Sequence, residues 1–144
     1  MNMINLTLMF KGLKMSIVES FRLYFIRIKK LIELNNQWKE LLNSGWNSGQ
    51  GFSIGISAND IALLSGAYAL AKEAYNLGLP LPKIIAIDDS IITFNSLEEM
   101  TALMVNYGNA RSILASSFAT KRKAIQNAVV LEELMAIDTN LAIV

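Results

Sequence analysis

From Ser16 to about Asn43, the residues Ile17, Phe21, Tyr24, Ile28, Leu31, Asn35, Trp38 and Leu42 recur alternately four and three apart without a break. That spacing returns each of them to one side of a helix, so the segment is predicted to be a single amphipathic helix about 40 Å long at 1.5 Å per residue. Val18, Phe25 and Ile32 form a second apolar row beside the first, which makes the stripe wider than the seam of a simple coiled coil. A seam of this length is more than one small domain needs for its own core, and it is expected to be an assembly interface. Asn35 on that seam has two readings: a polar residue that sets register and copy number at a cost in stability, or a solvated residue at the edge of an intramolecular helix pack. Either way the stripe is a packing surface and not a cofactor site.

The rest of the composition narrows function mainly by what it lacks. The chain has no histidine and no cysteine, which removes imidazole acid–base catalysis, thiolate nucleophiles, disulfide frameworks and the usual zinc sites. Redox compartment stays open, because a chain without thiols is compatible with any. A length of 144 residues is that of one ordinary domain. With 53% hydrophobic and only 17% charged residues, some apolar surface is expected to face a partner. The net charge of +1 conceals an asymmetry: residues 1–43 carry seven Lys/Arg against three Glu, whereas residues 44–144 carry six against nine acidic residues. The two parts attract, within a chain or between copies.

Residues 1–15 are expected to be a flexible or partner-bound leader. The apolar stretch Met1 to Phe10 is too short for a membrane span and has no basic residue before it, unlike a signal peptide; Met15 is an alternative start. After the helix of residues 16–43, the Asn, Ser and Gly residues of 44–51 read as a linker interrupted by Trp46 and Gln50. Residues 52–136 read as a helical domain with a β-hairpin. A short strand over Phe52 to Ser57 leads to a helix carrying Ile61, Leu64, Ala67, Tyr68, Ala71, Ala74 and Tyr75, capped by Ser57, Asn59 or Asp60. Gly78 at the left-handed C′ position and Pro80 and Pro82 beyond it end that helix. The β-branched runs from Lys83 and from Ile91, joined through Asp88, Asp89 and Ser90, form a small hairpin. Ser96-Leu-Glu-Glu99 is a capping box, and the periodicity after it predicts one long helix to about Met135. Residues 137–144 are a tail that frays or docks on a neighbour. The fold class expected is α+β, dominated by helices.

Few side-chain constellations carry chemistry. Gly49-Gln-Gly-Phe-Ser-Ile-Gly55 fits neither a dinucleotide fingerprint nor a P-loop, and a flexible hinge is the better reading. Asp88 and Asp89 with Asp60 supply oxygens for a hard cation, but Asp and Ser are favoured turn residues for their own backbone bonds. Glu98, Glu99, Glu132 and Glu133 are paired, the first pair at a helix start, where negative charge is favourable anyway. Lys121-Arg122-Lys123, with Arg22, Arg27, Lys29, Lys30 and Lys39, is basic enough to consider a polyanion or an anionic membrane; interleaved Glu19, Glu33 and Glu40 favour a solvated face. Ser117 and Lys121 do not match a Ser-x-x-Lys pattern. No catalytic residue, cofactor or metal is expected, and neither nucleic acid nor membrane is the expected partner.

The order of elements over about residues 54–135 is an apolar helix, a Gly/Pro break, Ile85-Ala-Ile-Asp-Asp-Ser-Ile-Ile-Thr-Phe-Asn and a capped helix with Tyr107, Ala110-Arg111, Phe118 and Lys123-Ala-Ile125. It resembles a small helical domain of undefined molecular function found in bacteriophage tail, tail-fibre and fibre-assembly proteins. Phe94 stands where many members have tryptophan. The resemblance implies a structural part of a tail, in the baseplate or fibre region, made in the host cytoplasm and carried in the virion, with other tail or fibre proteins and its own copies as partners. It brings no catalytic or binding residues. A fibre-assembly chaperone or adaptor is the alternative, and a helical protein lying on a membrane surface a second.

Overall fold

Ser16 begins the first helix as the heptad pattern predicts, and it does so with a reciprocal cap. Its Oγ accepts from the Glu19 N–H at 3.2 Å while the Glu19 carboxylate accepts from the Ser16 N–H at 3.0 Å, so two otherwise unpaired donors are satisfied. The computed structural model describes residues 8–10 and 13–144, with side chains from Met15 onward. Helix α1 runs Ile17–Ser44 and stops at Gly45, whose φ of +71° favours glycine. Space demands glycine there too, since a Cβ would press on the Ile54 carbonyl.

The remaining elements are short hairpins and long helices, an α+β fold dominated by helix. Strands β1 (Leu8–Phe10) and β2 (Leu13–Met15) pair antiparallel ahead of α1. The expected leader therefore contains a hairpin, while residues 1–7 and 11–12 lie outside the described residues. The expected linker of residues 44–51 is also corrected. Strand β3 (Trp46–Asn47) pairs antiparallel with β4 (Ser53–Ile54), and Gly49 and Gly51 turn the chain at positive φ. Asn, Ser and Gly serve tight turns as readily as linkers; the interrupting Trp46 is buried against the Tyr107 ring, edge on at 5.7 Å, and anchors the hairpin.

Helix α2 (Ala58–Asn76) is capped by Ser57 and Asp60 in a full capping box, and Gly78 follows it at φ +66°. Strands β5 (Ile84–Ile85) and β6 (Ile91–Ile92) pair antiparallel around the Asp88–Asp89 turn, and the Ile87 N–H donates to the Ser53 carbonyl at 2.9 Å. Helix α3 (Leu97–Asn127) begins with Ser96 Oγ accepting from the Glu99 N–H, while the Glu99 carboxylate accepts from Asn95.

The single final helix expected to Met135 is two helices, α3 ending at Asn127 and α4 spanning Leu131–Ala136. At the break Arg27 Nη2 donates to the Ala128 carbonyl at 2.6 Å and Nε to the Ile125 carbonyl at 3.2 Å. A guanidinium on the last carbonyls of a helix satisfies acceptors that have no intrahelical donor and complements the helix dipole. Lys30 repeats the device at the end of α4, donating to the Met135 and Ile137 carbonyls. The β-branched pair Val129 and Val130 bridges the two helices in extended backbone at Val130.

The chain forms two compact units, and α1 and α3 each pass through both. One unit comprises residues up to Trp38 with 116–141; its buried side chains are Leu23, Leu34, Ile125, Ala128, Leu134 and Leu141. Its tail is tied down, because Leu141 is buried and Lys121 donates to the Asp138 carbonyl at 2.8 Å and pairs with the Asp138 carboxylate at 3.3 Å. The other unit comprises 39–115 with 142–144 and buries Ile54, Ile56, Leu64, Ala71, Ile84, Met100, Leu103, Tyr107 and Leu114 among others. Met100, Leu103, Tyr107, Ala110 and Leu114 continue the alternating three–four spacing read from the sequence, which is why α3 buries one face so fully.

Candidate assembly face

Helix α1 has residues recurring three and four apart on two opposite sides, and the described residues pack against one of them. The inner row is Leu23, Arg27, Lys30 and Leu34, again spaced four, three and four. Leu23 and Leu34 are buried and the two cations reach the carbonyls that end α3 and α4. Trp38 extends this row, its ring tilted at 45° against Phe118 with 4.9 Å between centroids. At 100° per residue, Phe25 lies about 200° round the helix from Leu23, and its neighbours on that outer side are Val18, Phe21, Ile28 and Ile32. Their exposures are 68% for Val18, 59% for Phe21, 63% for Phe25, 37% for Ile28 and 54% for Ile32.

The residues expected to form one interface therefore divide. Phe21, Tyr24, Ile28 and Asn35 face outward and exposed, Ile17 and Leu31 are half-buried on the flank, Trp38 belongs to the inner packing, and Leu42 is half-buried and lines a groove of the other unit. What replaces the predicted seam is a rotated one: the second row, Val18, Phe25 and Ile32, interleaves with Phe21 and Ile28. The inner row does not read as a core row in the sequence because half of it is Arg and Lys. Its signal, an alternation of four and three shared with Leu23 and Leu34, is in the sequence, but cations whose partners are backbone carbonyls look like a solvated face. Phe21 and Phe25 stack at 6.5 Å, Tyr24 meets Phe25 edge on at 5.7 Å, and Ile17, Ser20, Phe21 and Tyr24 line an open hollow of about 410 Å³.

The second concave region lies wholly in the unit of 39–115. It has a volume of about 740 Å³, with Leu42, Ile54, Leu63, Ile85 and Ile87 among its apolar walls and Asp60 and Lys83 as charged lining. Its wall at 55–57 is clasped from within. Tyr107 Oη donates to the Gly55 carbonyl at 2.8 Å, Arg111 Nε donates to the Ile56 carbonyl at 3.1 Å, and the Asp60 carboxylate accepts from the Ser57 N–H and hydroxyl. Burial pushes the Tyr107 phenol up to about 12, helped by the negative charge of Asp60 and opposed by Arg111. The Asp60 carboxylate is thus committed to a cap, and a side chain at Gly55 would strike it.

Four other polar side chains, Asp88, Glu99, Glu133 and Lys121, are engaged in local structure. Asp88 accepts from the Ser90 hydroxyl at 2.6 Å and the Ser90 N–H at 3.1 Å, bonds that hold its carboxyl below the usual range. Glu99 and Glu133 accept backbone donors at the starts of α3 and α4, and Lys121 is bound to Asp138, where backbone Asn140 and Lys121 lower the carboxyl pKa. Among the described residues, no three potential ligands gather for a metal ion, and no helix is long and apolar enough to cross a membrane. Comparison of the chain with protein-family models, curated proteins and solved structures gives no match.

Proposed function

We propose that this protein is a non-enzymatic structural part of a bacteriophage tail, in the baseplate or fibre region, that assembles through the outer face of α1. One observation supports the assembly reading: Val18, Phe21, Phe25 and Ile32, each more than half exposed, lie opposite the face of α1 that packs internally. An exposed apolar and aromatic stripe of about four turns is the kind of surface that marks a protein interface. The tail location rests on the resemblance of residues 54–135 alone.

Light scattering after size-exclusion chromatography tests the assembly. The full chain is expected at a multiple of 15.9 kDa, and Phe25→Asp with Ile32→Asp is expected to return it to a single copy while leaving its helical circular dichroism intact. A single-copy mass for the unaltered chain at all concentrations overturns the reading. For the tail location, mass spectrometry of purified particles should find the chain in fixed ratio to the tail proteins; its presence only in the lysate favours the chaperone alternative.

Arg22 and Lys29 border the aromatic stripe, which favours a second reading, a helix lying on an anionic lipid surface. Flotation with anionic vesicles at low and high salt distinguishes it: salt-sensitive binding by a single-copy protein supports the lipid surface, and no binding at low salt removes it.

A further inference from the structure

Resting on the assembly reading above, we infer that the occupant of the outer face of α1 is a second copy of the same helix, lying parallel and in register. The outer row is itself a heptad seam. Val18, Phe25 and Ile32 occupy the a positions and Phe21 and Ile28 the d positions, with Asn35 next at d and Lys39 next at a. This seam is one step round the helix from the one the sequence suggests, and all five of its apolar residues are exposed.

The flanks decide the direction. In this register the e positions are Arg22, Lys29 and Asn36, and the g positions are Ile17, Tyr24 and Leu31. Antiparallel helices set e against e, which brings Arg22 of one copy toward Lys29 of the other, two like charges offset only by the half-exposed Glu33 of the same helix, 4.0 Å from Lys29. Parallel helices set g against the e position five residues on. Ile17 then meets the Arg22 stem and Tyr24 meets Lys29, so each aliphatic stem covers apolar surface and an ammonium lies near an aromatic ring. Parallel packing also sets Asn35 against Asn35, the polar pair that fixes register, and Lys39 against Lys39, which ends the contact. Antiparallel packing layers a against d, so the overlap that sets Phe25 on Ile28 places Asn35 on Val18 and gives it no polar partner.

A chain with no cysteine allows a direct test by single cysteines under mild oxidation, after light scattering of the unaltered chain. Val18→Cys alone and Ile32→Cys alone should each cross-link to themselves, on the order of a thousandfold faster than the exposed control Glu40→Cys, as for thiols held at millimolar effective concentration in a micromolar solution. Phe25→Cys cross-links in either direction and so reports the face itself. If Val18→Cys and Ile32→Cys cross-link only when mixed, the packing is antiparallel, and the inference fails while assembly through this face stands. Failure of Phe25→Cys in an assembled protein moves the interface elsewhere, and a single-copy mass for the unaltered chain removes both the inference and the reading under it.

Discussion

At the residue scale, Arg27 shows how much one side chain decides. It lies half-buried on the inner row of α1 and closes α3 by donating to the Ile125 carbonyl in its last turn and the Ala128 carbonyl just past its end. Arg27→Met keeps the aliphatic packing and removes the donors, so it is expected to cost about 2 kcal/mol in urea denaturation, as for a charged hydrogen bond to partly buried acceptors. Tyr107 adds a pH dependence. Its folded-state pKa, about 12, lies above the unfolded value near 10. Its contribution is therefore fully present below about pH 10 and is lost as pH rises through about 12. The urea midpoint should fall between pH 10 and 12 in the native chain, with a shallower fall in Tyr107→Phe. That variant should also be less stable at neutral pH by about 1–3 kcal/mol, because the Gly55 carbonyl loses its donor.

At the scale of elements, the long helices are held by their ends as much as by their faces. Ser16 with Glu19, Ser57 with Asp60 and Ser96 with Glu99 each satisfy donors at a helix start, so Ser57→Ala is expected to lower stability by about 1 kcal/mol, measurable as a shift in thermal midpoint. The starts and stops were largely legible, since Ser57, Gly78 and the Ser96 box have local signatures that do not depend on what packs nearby. The α3–α4 break had no such signature. It is stabilised by Arg27, about a hundred residues away in sequence, and a periodicity running through Ile125, Ala128 and Leu131 carries no mark of that partner. The β3–β4 hairpin was hidden for a related reason: turn residues announce a loop, but only the burial of Trp46 against Tyr107 makes its flanks pair.

At the scale of the whole molecule, the core of one unit is assembled from distant parts of the chain, with Leu23 and Leu34 joined by Ile125, Leu134 and Leu141. Leu134 is fully buried, so Leu134→Ala should cost about 2–4 kcal/mol in the same unfolding experiment, transfer and cavity terms together. If the outer face of α1 is covered by other copies, stability is linked to concentration. The thermal midpoint of the unaltered chain should then rise with protein concentration, and that of Phe25→Asp with Ile32→Asp should not; a midpoint independent of concentration in both argues against assembly.

The sequence by itself determined that α1 is one long helix with more apolar surface than a single face needs, that the chain is helix-dominated, and that imidazole and thiol chemistry are absent, because periodicity, caps and residue types are local properties. Which side of α1 is used internally was decided only in the tertiary structure. Two rows with the same alternation of three and four compete for the interior, and the one containing Arg27 and Lys30 wins because two helix ends supply carbonyls for their cations. That choice turns Val18, Phe21, Phe25, Ile28 and Ile32 outward together, and the surface on which the proposed function depends is what remains once the interior has been filled.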